Sequence, residues 1–242
     1  MAAANSSLEP VSIVLPARNE AENLPAAVAA CAQAFAPRFP DYEIIVVDDG
    51  SADATAAVAE KLAEKNPRVR LVRHERNLGY GAALRSGFAA ARHPLLFFTD
   101  ADGQFDPEDV ALLLPHLAAG PLVTGYRANR RDPWPRRFYG RLFSAWCRHF
   151  FGVKARDVNC AFKLFRRSLL EGVELRSSGA LINAELLAVA QRRGAVPMEV
   201  AVQHFPRRHG RPTGGSAKVI LRAAREFWEL KRHLSLEKKR RG

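Results

Sequence analysis

The sequence predicts an α/β protein built on a doubly wound, mostly parallel sheet. Short aliphatic, β-branched runs at residues 11–15 (VSIVL) and 43–47 (EIIVV) are bounded by turn residues and read as strands. Each run is followed by a polar loop and an alanine-rich stretch of helical length. Strands that alternate with helices in this way form parallel sheets with helices on both faces.

The remaining elements follow the same reasoning along the chain. Strands are expected at 70–73 and 95–99, with helices at 53–65 and 81–92. The second half is less regular, with strands at 122–125 and 161–165 and helices at 138–151 and 181–193. From residue 218 onward, apolar residues at heptad spacing predict an amphipathic helix that ends in a basic run at 238–241. This helix either packs on the domain or lies on a membrane.

Length and composition indicate one large domain with a short leader and a basic tail. The chain has 242 residues and is 48% hydrophobic, which is enough for a substantial core. We expect a disordered leader at 1–9, the main domain at 10–205, and a basic loop with the amphipathic helix at 206–242. Three widely spaced cysteines form no CxxC pair, so a reducing cytoplasm is expected. Neither a secretory signal nor a membrane-spanning segment is predicted.

Positive charge is concentrated in two segments of the chain. The net charge is +12, and residues 127–156 hold nine Lys or Arg against one acid, while 206–242 hold twelve against three. Such an imbalance favours an anionic partner, which could be a phosphate, a nucleic acid or an acidic membrane surface.

Two acidic loops follow predicted strands at the edge where ligands bind in doubly wound sheets. Asp100 and Asp102 come directly after the strand at 95–99, and strand alternation would place both carboxylates on one side. Paired carboxylates select Mg²⁺ or Mn²⁺, which usually take phosphate oxygens as further ligands. The second loop, 48–51 (DDGS), could contact a ribose or base, although helix capping by Ser51 or Asp53 is the simpler explanation.

Four ordered motifs resemble family 2 glycosyltransferases of the dolichol-phosphate mannosyltransferase branch. They are 15–20 (LPARNE), 48–51 (DDGS), 77–81 (NLGYG) and 100–102 (DAD), and the similarity covers about residues 10–218. The resemblance implies the GT-A fold, which is Rossmann-like, a Mg²⁺ or Mn²⁺ cofactor, and a nucleotide-sugar donor such as GDP-mannose or a UDP-hexose.

The resemblance also assigns the donor site by position. The nucleoside would be surrounded by Pro16, Arg18, Glu20, Val47, Asp48 and Asp49, although position 18 more usually carries Tyr. The metal and diphosphate would lie at Asp100, Ala101, Asp102 and Gln104. Arg127 would reach phosphate, and Arg207 and Ser216 would close over the diphosphate. Asp102 and Arg207 would then act in catalysis, together with Asp157 beside the acceptor.

The acceptor decides between two enzymatic hypotheses. Arg136, Arg137 and Arg141 match basic positions that hold a lipid phosphate in this branch. A phosphate is already anionic and needs no strong base, whereas a hydroxyl of a soluble or cell-envelope polysaccharide would need one, such as Asp157 or Glu185. We expect an inverting hexosyl transfer to polyprenyl phosphate at the cytoplasmic membrane face, with peripheral contact or a membrane-embedded partner and without nucleic acid. A catalytically inactive adaptor that binds RNA or lipid is the alternative from another class.

Overall fold

A computed structural model describes residues 8–128, 134–207, 209–210 and 225–232, apart from the side chains of 135 and 136. The strands are β1 Val11–Ala17, β2 Tyr42–Asp49, β3 Val69–His74, β4 Leu95–Thr99, β5 Leu122–Arg127, β6 Phe162–Arg166 and β7 Met198–Val202. The helices are α1 Leu24–Phe35, α2 Thr55–Lys65, α3 Tyr80–Ala90, α4 Val110–Leu117, α5 Trp134–Phe151 and α6 Ile182–Arg192. Residues 225–232 are also helical and are called α7 here.

The seven strands form one sheet in the order β3-β2-β1-β4-β6-β5-β7. Strand β6 runs antiparallel to both of its neighbours, and the other pairings are parallel. Strands β1 and β4 are buried along their whole length, because helices flank the sheet. This confirms the α/β fold with a mostly parallel sheet. The strand order reverses between β1 and β4, and ligands of doubly wound sheets bind at such a switch point.

Strands β1 and β2 extend beyond their predicted bounds, and helix α4 and strand β7 were not predicted. Strand β1 continues two residues further, to Ala17, which pairs with Asp48. Strand β2 also continues two residues further, to Asp49, which pairs with His74. Strand β4 pairs with β1 only as far as Val14, so Pro16, which lacks an N–H, lies beyond that ladder. Strand β7 was not predicted, because only Val202 of its five residues is buried and the apolar pattern is weak.

Helix α7 packs on the domain. The Phe227 ring lies 4.9 Å from Phe151 and 5.2 Å from Phe150, measured between centroids, and Leu230 is also buried. The Trp228 side chain next to them is 64% exposed. The rest of the predicted amphipathic helix and most of the leader lie outside the described residues. Across the described segments, no helix is long and apolar enough to cross a membrane.

Candidate active site

The loops after β1 and β2 are tied together at the carboxyl edge of the sheet. Asn19, in the left-handed region at φ 56°, donates its N–H to Ser51 Oγ at 3.0 Å and accepts from Ala52 N–H at 2.9 Å. The Glu20 N–H donates to Thr55 Oγ1 at 2.8 Å. Two of the predicted donor-binding motifs are therefore adjacent in space.

Asp49 orders the third motif. Its carboxylate accepts hydrogen bonds from the N–H groups of Leu78 and Gly79 and lies 2.8 Å from His74 Nδ1. Gly50 leaves room for this loop, because a Cβ there would lie 2.3 Å from the backbone of Arg76. Asp49 is thus a structural organiser of the segment that begins α3, and its predicted contact with a nucleoside stays a prediction.

Among the other predicted nucleoside residues, Asp48 is buried and accepts from Ser51 N–H at 3.2 Å. Pro16 and Val47 are buried at the ends of β1 and β2. Arg18 is exposed at the rim. These positions surround one edge of the sheet, as the resemblance implies, and their ligand contacts stay predictions.

Asp100 and Asp102 lie in a turn directly after β4. Because the strand ends at Thr99, strand alternation does not set the directions of these two carboxylates, and the expectation that both lie on one side stays a prediction. The Asp100 Oδ1 atom is buried and has no hydrogen-bond partner among the described residues. Burial, followed by the charge of Asp102, raises the pKa of Asp100 to about 7, and the nearby Tyr80 hydroxyl and Arg127 charge oppose this rise. The Tyr80 hydroxyl is itself buried without a hydrogen bond of regular geometry.

Arg207 lies over this acidic turn. Its Nη1 is 3.3 Å from Asp102 Oδ2, and its Nη2 forms a close ion pair with Glu20. Its Nε donates to the His209 carbonyl at 2.7 Å. Glu20 also accepts from Asn23 Nδ2 at 2.7 Å, and burial raises the pKa of Glu20. The structure therefore brings together three predicted residues from distant parts of the chain.

The donor atoms of the turn fit a hard divalent cation. Asp100 has an unsatisfied buried oxygen next to a second carboxylate, and such a pair is stabilised by a cation. The Gln104 amide nitrogen donates to the Phe205 carbonyl at 3.2 Å, which links the turn to the Arg207 segment. No cluster of three or more His, Cys, Asp or Glu residues suited to a metal occurs among the described residues. Gln104 stays a predicted ligand, and water or phosphate, the ligands that Mg²⁺ usually keeps, would complete the coordination.

Arg127 and Asp157 form a two-point ion pair with each other. Arg127 Nε lies 2.6 Å from Asp157 Oδ2, and Nη2 lies 2.7 Å from Oδ1. Both side chains are nearly buried, at 11% and 12% exposure. Both residues were predicted to act on phosphate or acceptor, but their mutual contact was not predicted.

Other predicted residues have structural partners or lie outside the description. The Glu185 carboxylate accepts from the N–H groups of Arg176 at 2.9 Å and Ser177 at 2.8 Å. Ala101 is buried, and Arg137 and Arg141 are exposed on α5. Ser216 and the Arg136 side chain lie outside the described residues.

Lys163 ends the segment 157–163, which resembles the family's segment beside the acceptor. It is fully buried on β6, where it donates to the Val158 carbonyl at 3.2 Å, to Asn183 Oδ1 at 3.0 Å, and to the Cys160 carbonyl. The sequence did not predict that this lysine is buried with three hydrogen-bond partners.

The sheet and the acidic turn at its switch point are those of the GT-A class of glycosyltransferases. Residues 12–173 match the family model for glycosyl transferase family 2, and the chain belongs to this family. It is 33% identical to a dodecaprenyl-phosphate galacturonate synthase of Rhizobium johnstonii, over 84% of this chain and 61% of that protein. It is 32% identical to the polyprenol monophosphomannose synthase of Mycolicibacterium smegmatis, over 82% of this chain and 78% of that one.

Two further comparisons bear on length and fold. An undecaprenyl-phosphate 4-deoxy-4-formamido-L-arabinose transferase of Pseudomonas fluorescens is 32% identical over 87% of this chain. The chain spans 61% of this relative's length, as it does for the galacturonate synthase. The fold matches a glucosyl-3-phosphoglycerate synthase from Mycobacterium tuberculosis, crystallised with Mn²⁺, uridine diphosphate and phosphoglyceric acid. That match has a TM-score of 0.68 at 23% identity and covers 89% of this chain and 77% of the other.

Proposed function

We propose that this protein transfers a sugar, with inversion, from a nucleotide-sugar to a polyprenyl phosphate. The observation that carries the proposal is the buried Oδ1 atom of Asp100 beside Asp102 at the β1/β4 switch point, with Arg207 in contact with Asp102. The two carboxylates there can hold a metal ion, and the guanidinium can bind phosphate. A metal-bound diphosphate leaving group requires this arrangement of charges. The three relatives described above, which are 32% or 33% identical to this chain, carry names of polyprenyl-phosphate sugar transferases, and this supports the acceptor.

The acidic and the basic residues have different roles in this proposal. Asp100 and Asp102 would hold Mg²⁺ or Mn²⁺, which would neutralise the charge that develops on the departing diphosphate. Arg207 would donate hydrogen bonds to the same diphosphate, because a guanidinium binds phosphate oxygens in a two-point fashion. The donor is GDP-mannose or a UDP-hexose. Crystals of the structural neighbour with Mn²⁺ and a uridine nucleotide are consistent with this cofactor.

The same geometry favours a phosphate acceptor over a hydroxyl. A hydroxyl needs a general base, and both candidate bases are engaged: Asp157 with Arg127, and Glu185 with two backbone amides. A lipid phosphate brings its own negative charge. The exposed Arg137 and Arg141 on α5 supply positive charge for it.

We also propose that the protein lies peripherally on the cytoplasmic face of the cell membrane, alone or beside a membrane-embedded partner. Helix α5 carries an exposed apolar ridge at four-residue spacing. The sequence of α5 contains four arginines and no acid. Aromatic and cationic side chains together are typical of helices that lie at the lipid interface. The ridge consists of Trp134, Phe138, Leu142, Trp146 and Phe150.

A direct assay tests the reaction. The full chain is incubated with GDP-mannose, UDP-glucose or UDP-GlcNAc, with Mg²⁺ or Mn²⁺, and with a polyprenyl phosphate in detergent. We expect a metal-dependent glycolipid, and a loss of about 10²-fold or more in Asp102→Asn. The matched control is Asp106→Asn in the same loop, whose carboxylate accepts from Glu108 N–H at 3.0 Å. Full activity of Asp102→Asn would refute the catalytic site, and sugar transfer to hydroxyls alone would refute the acceptor.

A further inference from the structure

We propose that, in the donor-free protein, the positive charge of Arg207 lies where the divalent metal would bind. The metal therefore binds tightly only together with a nucleoside diphosphate. The inference rests on the proposed function and adds an order of binding to it. Glu20 and Asn23 would act as positioning residues that hold the guanidinium in this place.

The contacts of Arg207 hold its guanidinium group in one defined position. All three guanidinium nitrogens are used: Nη1 on Asp102, Nη2 on Glu20, and Nε on the His209 carbonyl. The side chain of Arg207 is 20% exposed, and those of Glu20 and Asp102 are 9% and 10% exposed. Ion pairs with so little solvent are screened less than surface pairs.

The surroundings of this guanidinium are built to accept it. Asn23 fixes the Glu20 carboxylate and also lies 3.3 Å from the His209 carbonyl that receives the arginine Nε. Gly210 lies alongside at φ 80°, and a Cβ there would come within 3.3 Å of Arg207 Nη2. The absence of a side chain at position 210 therefore leaves space for the arginine.

Electrostatics make the arginine and the metal competitors. An arginine side chain stays protonated in proteins, and its guanidinium binds carboxylate and phosphate alike. When a divalent ion approaches Asp102 without a nucleotide, the positive charge of Arg207 already lies next to Asp102 Oδ2 and repels the ion. A nucleoside diphosphate supplies phosphate oxygens to Arg207 and to the metal at once. Metal and nucleotide should therefore strengthen each other's binding, and by linkage the coupling is reciprocal.

The backbone allows the exchange without moving the domain. Residues 203–207 form no regular secondary structure, and they are anchored at Gln203 N–H, 2.6 Å from Asp109 Oδ2, and at Phe205 on Gln104. Arg207 lies two residues beyond the second anchor. We therefore expect a conformational change of its long side chain to move the charge from carboxylate to phosphate.

The test measures Mn²⁺ binding directly, by the loss of the free-ion signal in electron paramagnetic resonance, with and without UDP or GDP. In the wild type we expect nucleotide to tighten Mn²⁺ binding by about fivefold or more. In Arg207→Gln, Mn²⁺ alone should bind about fivefold more tightly than to the wild type. Arg207→Lys keeps the charge and should stay close to the wild type. The matched control is Arg38→Gln, which removes an ion pair with Glu108 elsewhere on the surface.

The outcomes separate this inference from the function on which it rests. Equal affinity of the wild type and Arg207→Gln for Mn²⁺ alone overturns the inference, whereas the function stands if Mn²⁺ still binds with nucleotide. Binding of Mn²⁺ to no variant, even with nucleotide, overturns both. Thermal unfolding of each variant establishes that it is folded. If Arg207→Gln is not folded, Arg207→Lys provides a second comparison with the wild type.

Discussion

At the scale of single residues, Lys163 is the most unusual side chain near the site. It is buried beneath the segment that carries Asp157, and its ammonium group donates to two backbone carbonyls and Asn183. Removing it would leave buried acceptors unsatisfied, and each costs about 1–3 kcal/mol. We therefore interpret Lys163 as the residue that fixes the shape of the loop behind the Arg127–Asp157 pair.

Stability should depend on pH through this lysine. Burial lowers the pKa of Lys163 from 10.5 to about 8, so the folded protein releases this proton at a lower pH than the unfolded chain. Between pH 8 and 10.5 the unfolded chain binds more protons, and the free energy of unfolding rises with pH on account of this group. Lys163→Met should be less stable at pH 7, by about 2 kcal/mol. The wild type should gain about 1 kcal/mol relative to this variant between pH 7 and 9.

Urea unfolding of both proteins at several pH values checks this prediction. The buried thiols of Cys31, Cys147 and Cys160 are present in both, and their pKa values are raised to about 12 by burial. They lower stability above about pH 9 in both proteins, so their effect cancels in the difference. A difference that stays constant from pH 7 to 9 would show that Lys163 remains protonated throughout.

At the scale of elements, α7 is connected to the site through one turn. Glu226 on α7 accepts from the N–H groups of Ser178 at 3.2 Å and Gly179 at 3.0 Å. The Ser178 carbonyl in turn accepts from Gly81 N–H at 2.8 Å, in the first turn of α3. Gly81 is required there, because a Cβ would lie 2.5 Å from the Ser177 carbonyl. A contact chain therefore runs from α7 to the loop that Asp49 organises.

Glu226 should hold α7 in place. Glu226→Ala removes its hydrogen bonds to two amides and to the Ser178 hydroxyl, and should destabilise the docked helix by about 1–3 kcal/mol. Hydrogen exchange of the α7 amides should speed up in this variant because the helix opens more often. The control is Glu229→Ala on the same helix, which loses an exposed pair with Arg225 worth a few tenths of a kcal/mol. Equal exchange in the two variants would show that the aromatic contacts of Phe227 alone dock the helix.

At the scale of the whole molecule, the sequence predicts the sheet better than the site. Strand β4 was predicted at its observed bounds, because a continuous apolar run of four residues, followed by Thr99, is buried on both faces. The site depends on pairs far apart in the chain, such as Arg127 with Asp157 and Asp49 with Gly79, each thirty residues apart. Local patterns carry no information on such pairing. The motifs predict that Arg207 binds the diphosphate. Its position between Glu20 and Asp102 became visible only in the folded structure.

The distribution of exposed aromatic residues leads to a prediction about lipid binding. In the described chain, Trp134, Phe138 and Trp146 of α5 and Trp228 of α7 are each at least half exposed. The α7 residue lies near the end of the α5 ridge, because Phe227 contacts the ring of Trp146 at 5.9 Å between centroids. Lys231 lies over the rings of Phe150 and Trp228, at 4.8 Å and 5.0 Å. The two helices therefore present an aromatic surface with cations at its border.

Sedimentation with vesicles distinguishes a lipid-binding surface from a solvated one. We expect the full chain to bind vesicles that contain phosphatidylglycerol more tightly than vesicles of phosphatidylcholine, because anionic lipids attract basic segments. Binding should weaken when salt rises from about 0.1 M to 1 M, where the Debye length falls from about 10 Å to 3 Å. Trp134→Ser with Phe138→Ser should weaken binding by about tenfold or more, because two large apolar side chains would no longer be buried in lipid. The control replaces Leu112 and Val196, which are 47% and 54% exposed and belong to neither α5 nor α7, by serine. If both double variants bind equally well, the α5 ridge does not contact lipid, and a protein partner becomes the alternative for that surface.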